Sequence, residues 1–297
     1  PVRMSETTMC YRDEQSGELS GLSRLRAFTQ DDAHIFCSID QIEQEFTNIM
    51  GMIKDMYTVF DMKFTARLSF RDDSDGYLGE PEVWEHAQTV IETVAKKLEL
   101  DYFVATGEAA FYGPKIDIMV TDALGREWQC ATEQLDFVQP ERFGLVYTDM
   151  DGAEQRPVMI HKALLGSVER FLSVYIEHTA GRFPIWLAPE QIRIITVNQE
   201  YETTEFARII EEKARELQLR VHVDNDNESV GKKIRNAELM KVPYTLVIGE
   251  KEIANGRVMP RIRKDLVVLS AHPELAMEDF LKTVANETKM RVQKSSI

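Results

Sequence analysis

Cysteine, long apolar runs and an initiator methionine are scarce or missing in this sequence. Its 297 residues contain three cysteines, Cys10, Cys37 and Cys130, which are too few and too scattered for a disulfide framework and fit a reducing, cytoplasmic location. No stretch of 18 apolar residues occurs and no signal peptide is recognisable, so we expect no membrane partner. Because the chain opens on Pro1 and enters a strand-like run at once, we expect a fragment whose natural start lies upstream.

Positive charge is also in deficit. Lys and Arg number 35 against 50 Asp and Glu, which gives a formal net charge of −15. This balance argues against a protein that coats nucleic acid non-specifically, although it leaves room for a local basic patch.

What is present is the composition of an ordinary soluble globular protein, with 43% hydrophobic and 29% charged residues. At 297 residues the chain is longer than one compact core usually supports, so two domains are expected. Two prolines in RFPIWLAP (182–189) interrupt both the helical and the strand period, which predicts a boundary there. We assign residues 1–186 to an α+β domain with a largely antiparallel sheet and flanking helices. Residues 187–297 are assigned to a small α/β domain with a mixed sheet.

Hydrophobic periodicity predicts the elements of each domain. In the first domain, helices are expected over residues 40–60, 81–98 and 162–179, and strands over residues 25–37, 63–70, 102–106, 115–121 and 126–137. In the second domain, strands at 192–197, 220–223 and 244–248 alternate with helices at 202–217 and 229–241, followed by a hairpin near 250–262 and a helix from Pro273.

Residues 12–37 are predicted to belong to a β-hairpin with an unusually polar face. A loop rich in Ser and Gly, near residues 13–23, joins its two strands. Because side chains alternate between the faces of a strand, one face of the second strand carries Arg26, Phe28, Gln30, Asp32 and His34. A ring, an amide, a carboxylate and an imidazole in a row indicate the floor of a binding site. The alternative is a solvated strand face, although such faces favour Thr, Lys and Glu.

The residues beside the loop favour a nucleotide site. Arginine suits a phosphate because its planar fork donates two parallel hydrogen bonds, and Arg12 and Arg24 flank the loop with Glu14 beside them. The ring of Phe28 offers a face to a base, and Arg170 on a later helix offers a cation to the other side. The alternative for each arginine is a surface ion pair, which stabilises little.

His34 and Cys37 have an H-x-x-C spacing that suggests a metal site. In a strand, an offset of three places them on opposite faces, so they cannot hold one ion together. His161 is a better partner for His34 if the fold brings the two near. Otherwise His34 is a hydrogen-bonded structural residue.

Longer motifs resemble a known family. Arg12 and Glu14 before the loop, with Arg24 and Phe28 after it, resemble the second signature motif of class II aminoacyl-tRNA synthetases. Four further runs are similar to threonyl-tRNA synthetases: FTQDDAHIF (28–36), AFYGPKID (110–117), WQCATEQLDF (128–137) and PVMIHKALLGSVERF (157–171). The last run contains a G-x-x-x-R helix like the third class II motif. The resemblance continues through VDNDNESVGKKIR and VPYTLVIGEKE, so it covers nearly the whole chain.

The resemblance implies a threonine–tRNA ligase, which uses ATP with Mg²⁺ to activate threonine as threonyl-adenylate and then transfers it to tRNA(Thr). Residues 1–186 would be the C-terminal part of the catalytic domain and residues 187–297 the anticodon-binding domain. Arg12 and Arg170 would be catalytic. The residues implied to bind ATP are Arg12, Glu14, Arg24, Phe28, Gln129, Thr132 and Arg170. Strict alternation puts Gln129 and Thr132 on opposite faces, so Gln129 needs a bulge near residues 130–131.

The resemblance also gives the polar face a purpose. A pocket that hydrogen-bonds the hydroxyl of threonine rejects valine, because its polar groups would otherwise be left unpaired. Gln30, Asp32, Tyr112 and Gln134 would surround the amino acid. One Zn²⁺ per subunit would receive the amino group and hydroxyl of threonine, held by His34, His161 and a cysteine upstream of this chain. Because two histidines alone are an incomplete set, we expect the isolated chain to bind zinc weakly or not at all, which also puts its catalytic competence in isolation in question.

In the second domain, four residues match positions that contact anticodon bases in the family, namely Asn227, Arg235, Glu252 and Arg261. Unstacked bases are recognised by side-chain hydrogen bonds and stacking, and Arg257, Arg263 and Lys264 add local positive charge. The alternative for each residue is a solvated surface position. The complete enzyme is expected to be a homodimer, although the first class II motif, which builds the dimer contact, is absent from this chain.

Two other classes remain open. One is a synthetase-like paralogue that binds tRNA without catalysing, against which the intact ATP-site residues argue. The other is a class II synthetase for proline or serine, against which the TQDDAHIF face and a second histidine at His161 argue.

Overall fold

The computed structural model describes residues 1–268 and 273–297. They fold into two compact units, Pro1–His178 and Thr179–Ile297. The assignment of residues 1–186 and 187–297 to functional domains stays a prediction. Within the described residues, no helix has both the length and the apolar character that crossing a membrane requires.

The first unit contains a large sheet with flanking helices. Its strands are β1 (Val2–Tyr11), β2 (Ala27–Cys37), β3 (Phe64–Phe70), β4 (Tyr102–Thr106), β5 (Lys115–Thr121), β6 (Glu127–Asp136), β7 (Tyr147–Thr148), β8 (Glu154–Gln155) and β9 (Val158–Ser167). Its helices are α1 (Ile42–Val59), α2 (Pro81–Lys97), α3 (Val138–Arg142) and α4 (Val168–Thr179).

The large sheet has the strand order β1-β2-β9-β6-β5-β3-β4. The β3–β4 pair is parallel and the other neighbouring pairs in this order are antiparallel, which confirms the predicted, largely antiparallel sheet. Helices α1 and α2 bury the stripes expected from their helical spacing, for example Phe46 and Ile49 in α1 and Trp84 and Ile91 in α2. In the inner strands, apolar residues such as Ile35, Leu68 and Ile160 are buried, whereas the edge strands β1 and β4 expose apolar residues such as Val2 and Phe103.

The predicted helix over residues 162–179 is wrong at its start. Residues up to Ser167 continue β9, and α4 begins at Val168. The reason is tertiary: β9 lies between β2 and β6 and pairs with both, so its ladder overrides the helical spacing of the apolar residues. Gly166, with a φ of +70°, lies close to the end of the strand.

The second unit contains a smaller sheet with the order β11-β10-β12-β14. Its strands are β10 (Ile192–Thr196), β11 (Val221–Asp224), β12 (Tyr244–Ile248), β13 (Arg257–Val258), β14 (Arg261–Ile262) and β15 (Leu275–Ala276). Its helices are α5 (Tyr201–Glu216), α6 (Val230–Leu239), α7 (Glu250–Asn255) and α8 (Met277–Lys289). Strand β10 is parallel to β11 and β12, whereas β14 is antiparallel to β12, so the predicted mixed sheet is confirmed.

Two boundaries in the second unit differ from the prediction. The expected hairpin near residues 250–262 begins with a helix, α7, because the Glu252 carboxylate caps the first turn by accepting from the Gly249 amide at 3.0 Å. Gly256, at a φ of +61°, ends that helix in the left-handed region. The last helix begins at Met277 rather than at Pro273.

Candidate functional site

The residues predicted to bind ATP meet in one cavity of about 220 Å³ in the first unit. All seven residues of this set line the cavity: Arg12, Glu14, Arg24, Phe28, Gln129, Thr132 and Arg170. They come from both sides of the loop between β1 and β2, from β6 and from α4, which are remote in sequence. Gln30 and Gln134, predicted to contact threonine, line the same cavity.

The hairpin of β1 and β2 positions the aromatic end of this cavity. The strands pair in regular register from Val2–Phe36 to Tyr11–Ala27, and the Arg12 amide donates to the Arg26 carbonyl at 2.8 Å. The Phe28 side chain is buried, and the guanidinium carbon of Arg12 lies 4.8 Å from the centroid of its ring. A planar cation is thus already stacked on the ring that was predicted to hold a base.

Three arginines make the cavity positive. Arg24 donates to the Glu14 carboxylate at 2.9 Å and holds the pKa of that carboxyl below its ordinary value. Arg170 donates from Nε to the Ser23 carbonyl at 2.8 Å. Burial lowers the pKa of Arg170, and the charges of Arg12 and Arg24 act in the same direction. All three arginines line the same cavity, so their positive charge is concentrated where an anion would bind.

The bulge required for Gln129 is present. Between β5 and β6 the register shifts after the Asp117–Thr132 pair, so that Met119 faces Gln129. The extra residue in β6 brings the Gln129 and Thr132 side chains to one carboxylate oxygen, Oδ1 of Asp117, to which they donate at 2.7 and 2.9 Å. The predicted bulge near residues 130–131 is therefore confirmed.

A second irregularity, in β9, was not predicted. Gln30 pairs with Ser167 and Asp32 with Ala163, so β9 has extra residues between these pairs. The Asp31 carboxylate fills the gap by accepting from the amides of Leu164 and Leu165, at 2.7 and 3.1 Å. At Gly166 a Cβ atom would lie 2.3 Å from the Cys130 carbonyl oxygen, so this bulge requires glycine. It places the start of α4, and with it Arg170, beside the cavity.

The residues predicted around threonine adjoin the nucleotide cavity. The Tyr112 hydroxyl donates to Oε1 of Gln134, and Nε2 of Gln134 points to Oγ1 of Thr132 at 3.4 Å. Burial, together with the negative charges of Asp136 and Asp32, raises the pKa of Tyr112 to about 12, so the phenol stays a donor at neutral pH. Asp32 does not line the nucleotide cavity and instead lies with His34 in a second cavity of about 320 Å³.

The two histidines predicted to bind metal are brought together. His34 and His161 are directly opposed across β2 and β9, and their ring centroids are 4.8 Å apart. Nε2 of His161 also lies 2.9 Å from the Asp136 carboxylate. Within residues 1–268 and 273–297, however, no group of three His, Cys, Asp or Glu side chains is placed to hold a metal ion. Two imidazoles do not complete a tetrahedral zinc set, so the donors of this chain do not fit the ion by themselves.

Some residues of the site were not singled out from the sequence. Asp117 is fully buried, and Asp136 is the partner of His161. The available signal was a carboxylate between apolar neighbours in β5, Ile116 and Ile118, because a buried carboxylate must find donors. The donors themselves lie on other strands and could not be identified by spacing.

The residues predicted to contact an anticodon converge less completely. Glu252 and Arg261 line one cavity of about 600 Å³ in the second unit, with Arg263 and Lys264. Asn227 and Arg235 are exposed and do not line it. Arg263 is not a free charge, because it pairs with Asp265 at 2.8 Å and donates to two backbone carbonyls.

Two family models match this chain, one in each of its two units. Residues 1–179 match the tRNA synthetase class II core domain (G, H, P, S and T), and residues 191–287 match the anticodon binding domain. A threonine–tRNA ligase from Gloeobacter violaceus is 49% identical over 266 residues, which are 89% of this chain and 42% of that protein. One from Flavobacterium johnsoniae is 44% identical over 97% of this chain and 44% of its own length. The chain thus spans less than half of the curated relatives it matches.

The fold of this chain is also similar to that of a solved threonyl-tRNA synthetase structure. The crystal structure titled as the RNA binding domain of threonyl-tRNA synthetase from Cryptosporidium parvum superposes with a TM-score of 0.89 at 36% identity, covering 100% of this chain and 72% of that one. The core-domain match covers more than half of the chain, and this relative is matched over more than two thirds of its length. The chain therefore belongs to the threonyl-tRNA synthetase family of class II aminoacyl-tRNA synthetases.

Proposed function

We propose that the protein containing this chain ligates threonine to tRNA(Thr), using ATP and Mg²⁺ to form threonyl-adenylate. The observation that carries the proposal is the single cavity that contains all seven residues expected to bind ATP, with Gln30 and Gln134 at its edge. A paralogue that only binds tRNA would not need three arginines, a buried aromatic ring and two polar strands around one cavity.

The chemistry follows from the charge of the cavity. The threonine carboxylate attacks the α-phosphorus of ATP, pyrophosphate leaves, and negative charge in the transition state is spread over the phosphate oxygens. Arg12 binds that charge, Arg24 holds the outer phosphates, and Arg170 lies against the face of adenine opposite Phe28. A Mg²⁺ ion bound with ATP would supply further positive charge to the phosphates. When adenine stacks on Phe28, the Arg12 guanidinium leaves the ring and turns to the α-phosphate, because one ring face cannot hold both. Glu14 exchanges its bond to Arg24 for the adenine edge.

Threonine is selected by polar groups of this chain. Gln134, oriented by Tyr112, and Gln30 offer donors and acceptors within the nucleotide cavity, and Asp32, in the cavity that also contains His34, offers a carboxylate to the amino group. Valine would leave these groups desolvated and unpaired, at a cost of roughly 1–3 kcal/mol for each. His34 and His161 lie beside this pocket. Since they do not form a complete metal site alone, no step of the reaction is assigned to zinc.

The second unit is proposed to contact the anticodon of tRNA(Thr) through Glu252 and Arg261, which line one cavity. Asn227 and Arg235, which are exposed outside that cavity, are proposed to contribute further contacts. Both arginines are exposed and able to reach splayed bases. A homodimer is part of the proposal for the complete protein.

The experiment that tests the proposal is ATP–pyrophosphate exchange with threonine, serine and proline, using protein extended upstream to the length of its relatives. Exchange that depends on threonine and is weak with serine and proline is expected. Faster exchange with proline or serine would reassign the substrate, and tRNA(Thr) binding without exchange with any amino acid would favour the non-catalytic paralogue.

A further inference from the structure

Asp117, in the middle of β5, has an unusually complete set of donors. Its carboxylate is fully buried and is bonded to five side chains. Oδ1 accepts from Gln129 and Thr132, at 2.7 and 2.9 Å. Oδ2 accepts from Arg67 at 2.9 Å and from Ser69 at 2.7 Å, and it forms an ion pair with Nζ of Lys115 at 3.0 Å. The two cations compensate its charge, which an isolated buried carboxylate could not keep.

The two carboxylate oxygens of Asp117 have different neighbours. Oδ2 faces the residues that keep the carboxylate charged, whereas Oδ1 faces the wall of the nucleotide cavity. Arg67 also donates to Oε1 of Gln129 at 3.0 Å, so both ends of the Gln129 amide are held. Its remaining N–H and lone pair are therefore presented in a fixed direction.

The network continues from Oδ1 into the amino-acid pocket. An ionised carboxylate only accepts, so the Thr132 hydroxyl must donate to Asp117, and its lone pairs are left to accept from Gln134. With its N–H directed at Thr132, Gln134 turns its carbonyl oxygen to the Tyr112 hydroxyl. One buried charge thereby fixes the direction of each hydrogen bond from Asp117 to Tyr112.

We propose that Asp117 is a positioning residue that orients the ATP wall, through Gln129, and the threonine pocket, through Thr132 and Gln134, at the same time. The proposal rests on the proposed function, since it assigns ATP and threonine to these two pockets. Asp117 itself lies beneath the side chains that line the cavity and touches neither substrate.

The test compares Asp117→Asn with a matched control, Asp122→Asn, in the full-length protein. Asp122 is also a buried carboxylate of the β5–β6 hairpin, and it accepts from Arg126, Trp128 and two backbone amides, outside the cavity. The asparagine at position 117 can donate where the carboxylate only accepted, which reverses or breaks the network. We expect the KM values for threonine and ATP in pyrophosphate exchange each to rise about tenfold or more. Asp122→Asn should lower the Tm while both KM values stay within about twofold.

A double-mutant cycle with Thr132→Val tests the route. Valine removes the link between Asp117 and Gln134, so adding Asp117→Asn should not raise the threonine KM further, whereas the ATP KM should still rise through Gln129. If each substitution raises the threonine KM and the two factors multiply in the double variant, then Asp117 does not act on the threonine pocket through Thr132. If Asp117→Asn does not fold, Thr132→Val alone decides, because an unchanged threonine KM in that variant contradicts the network.

The outcomes separate the two proposals. Calorimetric binding of ATP and of threonine is measured for each variant beside exchange. Wild-type protein that binds neither ligand contradicts the proposed function and the role of Asp117 with it. Wild-type protein that is active and an Asp117→Asn variant with lowered Tm but unchanged KM values contradict the role of Asp117 only.

Discussion

The two units of this chain place their functional residues in different ways. In the first unit, all seven residues expected at ATP line one cavity, three of them on β2 and β6, three in the loop between β1 and β2, and one on α4. In the second unit, two of the four residues expected at the anticodon share a cavity, and the other two are exposed. The register of the sheet fixes the strand residues of the first unit, and hydrogen bonds from Arg24 to Glu14 and from Arg170 to the Ser23 carbonyl hold the loop and the helix beside them. The four residues of the second unit come from a loop, α6, α7 and β14.

The two units also differ in their net charge. Residues 1–178 contain 16 Lys and Arg against 32 Asp and Glu, and residues 179–297 contain 19 against 18. The strongly acidic unit nevertheless concentrates three arginines in its cavity, which is the local geometry that the proposed binding of ATP requires. The second unit is nearly neutral and therefore repels a polyanion such as RNA less than the first unit does, which suits the proposed contact with tRNA.

Zinc binding by the isolated chain should show the largest effect, because a sheet can preform two ligands but cannot supply a third. We expect a Kd for Zn²⁺ weaker than about 10 μM by calorimetry, whereas complete structural sites bind at least about a hundredfold more tightly. His34→Ala is the control, and it should abolish whatever weak binding remains. Full-strength binding by this chain would show that its own residues complete the site.

Removing one arginine from the cavity proposed to bind ATP should have the next largest effect. Arg12→Ala in the full-length protein is expected to reduce threonine-dependent exchange by about 10²–10³-fold, since one preorganised donor to the transition state is lost. Arg126→Ala, an arginine of the same unit that pairs with Asp122 outside the cavity, should leave exchange unchanged. Equal losses in the two variants would mean that general stability, not phosphate binding, is affected.

The threonine pocket should respond less strongly. Tyr112→Phe removes the hydroxyl that orients Gln134, so the threonine KM should rise about ten- to hundredfold, and discrimination against valine should fall. The ATP KM should change little, because Phe28 and the arginines are untouched. Tyr102→Phe is the control, since its hydroxyl reaches Glu92 at 3.5 Å away from the cavity. Unchanged selectivity in the Tyr112 variant would remove this residue from the pocket.

Loss of one anticodon contact should be smaller again, because an exposed side chain contributes only part of a base contact. Arg261→Ala is expected to weaken discrimination among anticodon variants of tRNA(Thr) by about tenfold, equivalent to about 1.4 kcal/mol, in competition binding. Arg208→Ala on α5 is the control, because that arginine pairs with Glu205 and Glu212 on the helix surface. Unchanged relative affinities for the anticodon variants would refute the assignment.

The smallest effect concerns the stability of the first unit. Burial raises the pKa of Glu133 well above its ordinary value, opposed by the charge of Lys162 across the ladder, and both carboxylate oxygens lack a hydrogen-bond partner among the described residues. Because the folded-state pKa is the higher one, stability is greatest below the unfolded pKa, near 4.3, and is lost as pH rises towards the folded value.

Glu133→Gln should therefore become more stable relative to wild type as pH rises above about 4.3, by up to about 1.4 kcal/mol per pH unit. Hydrogen exchange of first-unit peptides between pH 5 and pH 6, corrected for intrinsic rates, measures the difference, and peptides of the second unit should not respond. Glu127→Gln, exposed on the same strand, is the control. A difference independent of pH would show that Glu133 does not titrate in this way.

The sequence predicted much of the fold because the periodicities are strong. The stripes of α1 and α2, the antiparallel sheet and the mixed second sheet were all expected. The helix predicted from residue 162 was wrong because its first residues are the central strand of the sheet, where pairing on both sides outweighs spacing. Likewise, the hairpin expected near 250–262 starts as a helix, because the Glu252 side chain caps it.

By itself the sequence determined which chemical groups are available: arginines around a loop, a polar strand face, two histidines and a bulge demanded by Gln129 and Thr132. Only the tertiary structure decided which groups meet. It set His34 opposite His161, placed Asp31 in the β9 bulge and surrounded Asp117 with four hydrogen-bond donors and the ion-paired Lys115, from three strands. The physical reason is that spacing fixes the face on which a side chain lies, whereas its neighbours depend on the order and register of strands far apart in the chain.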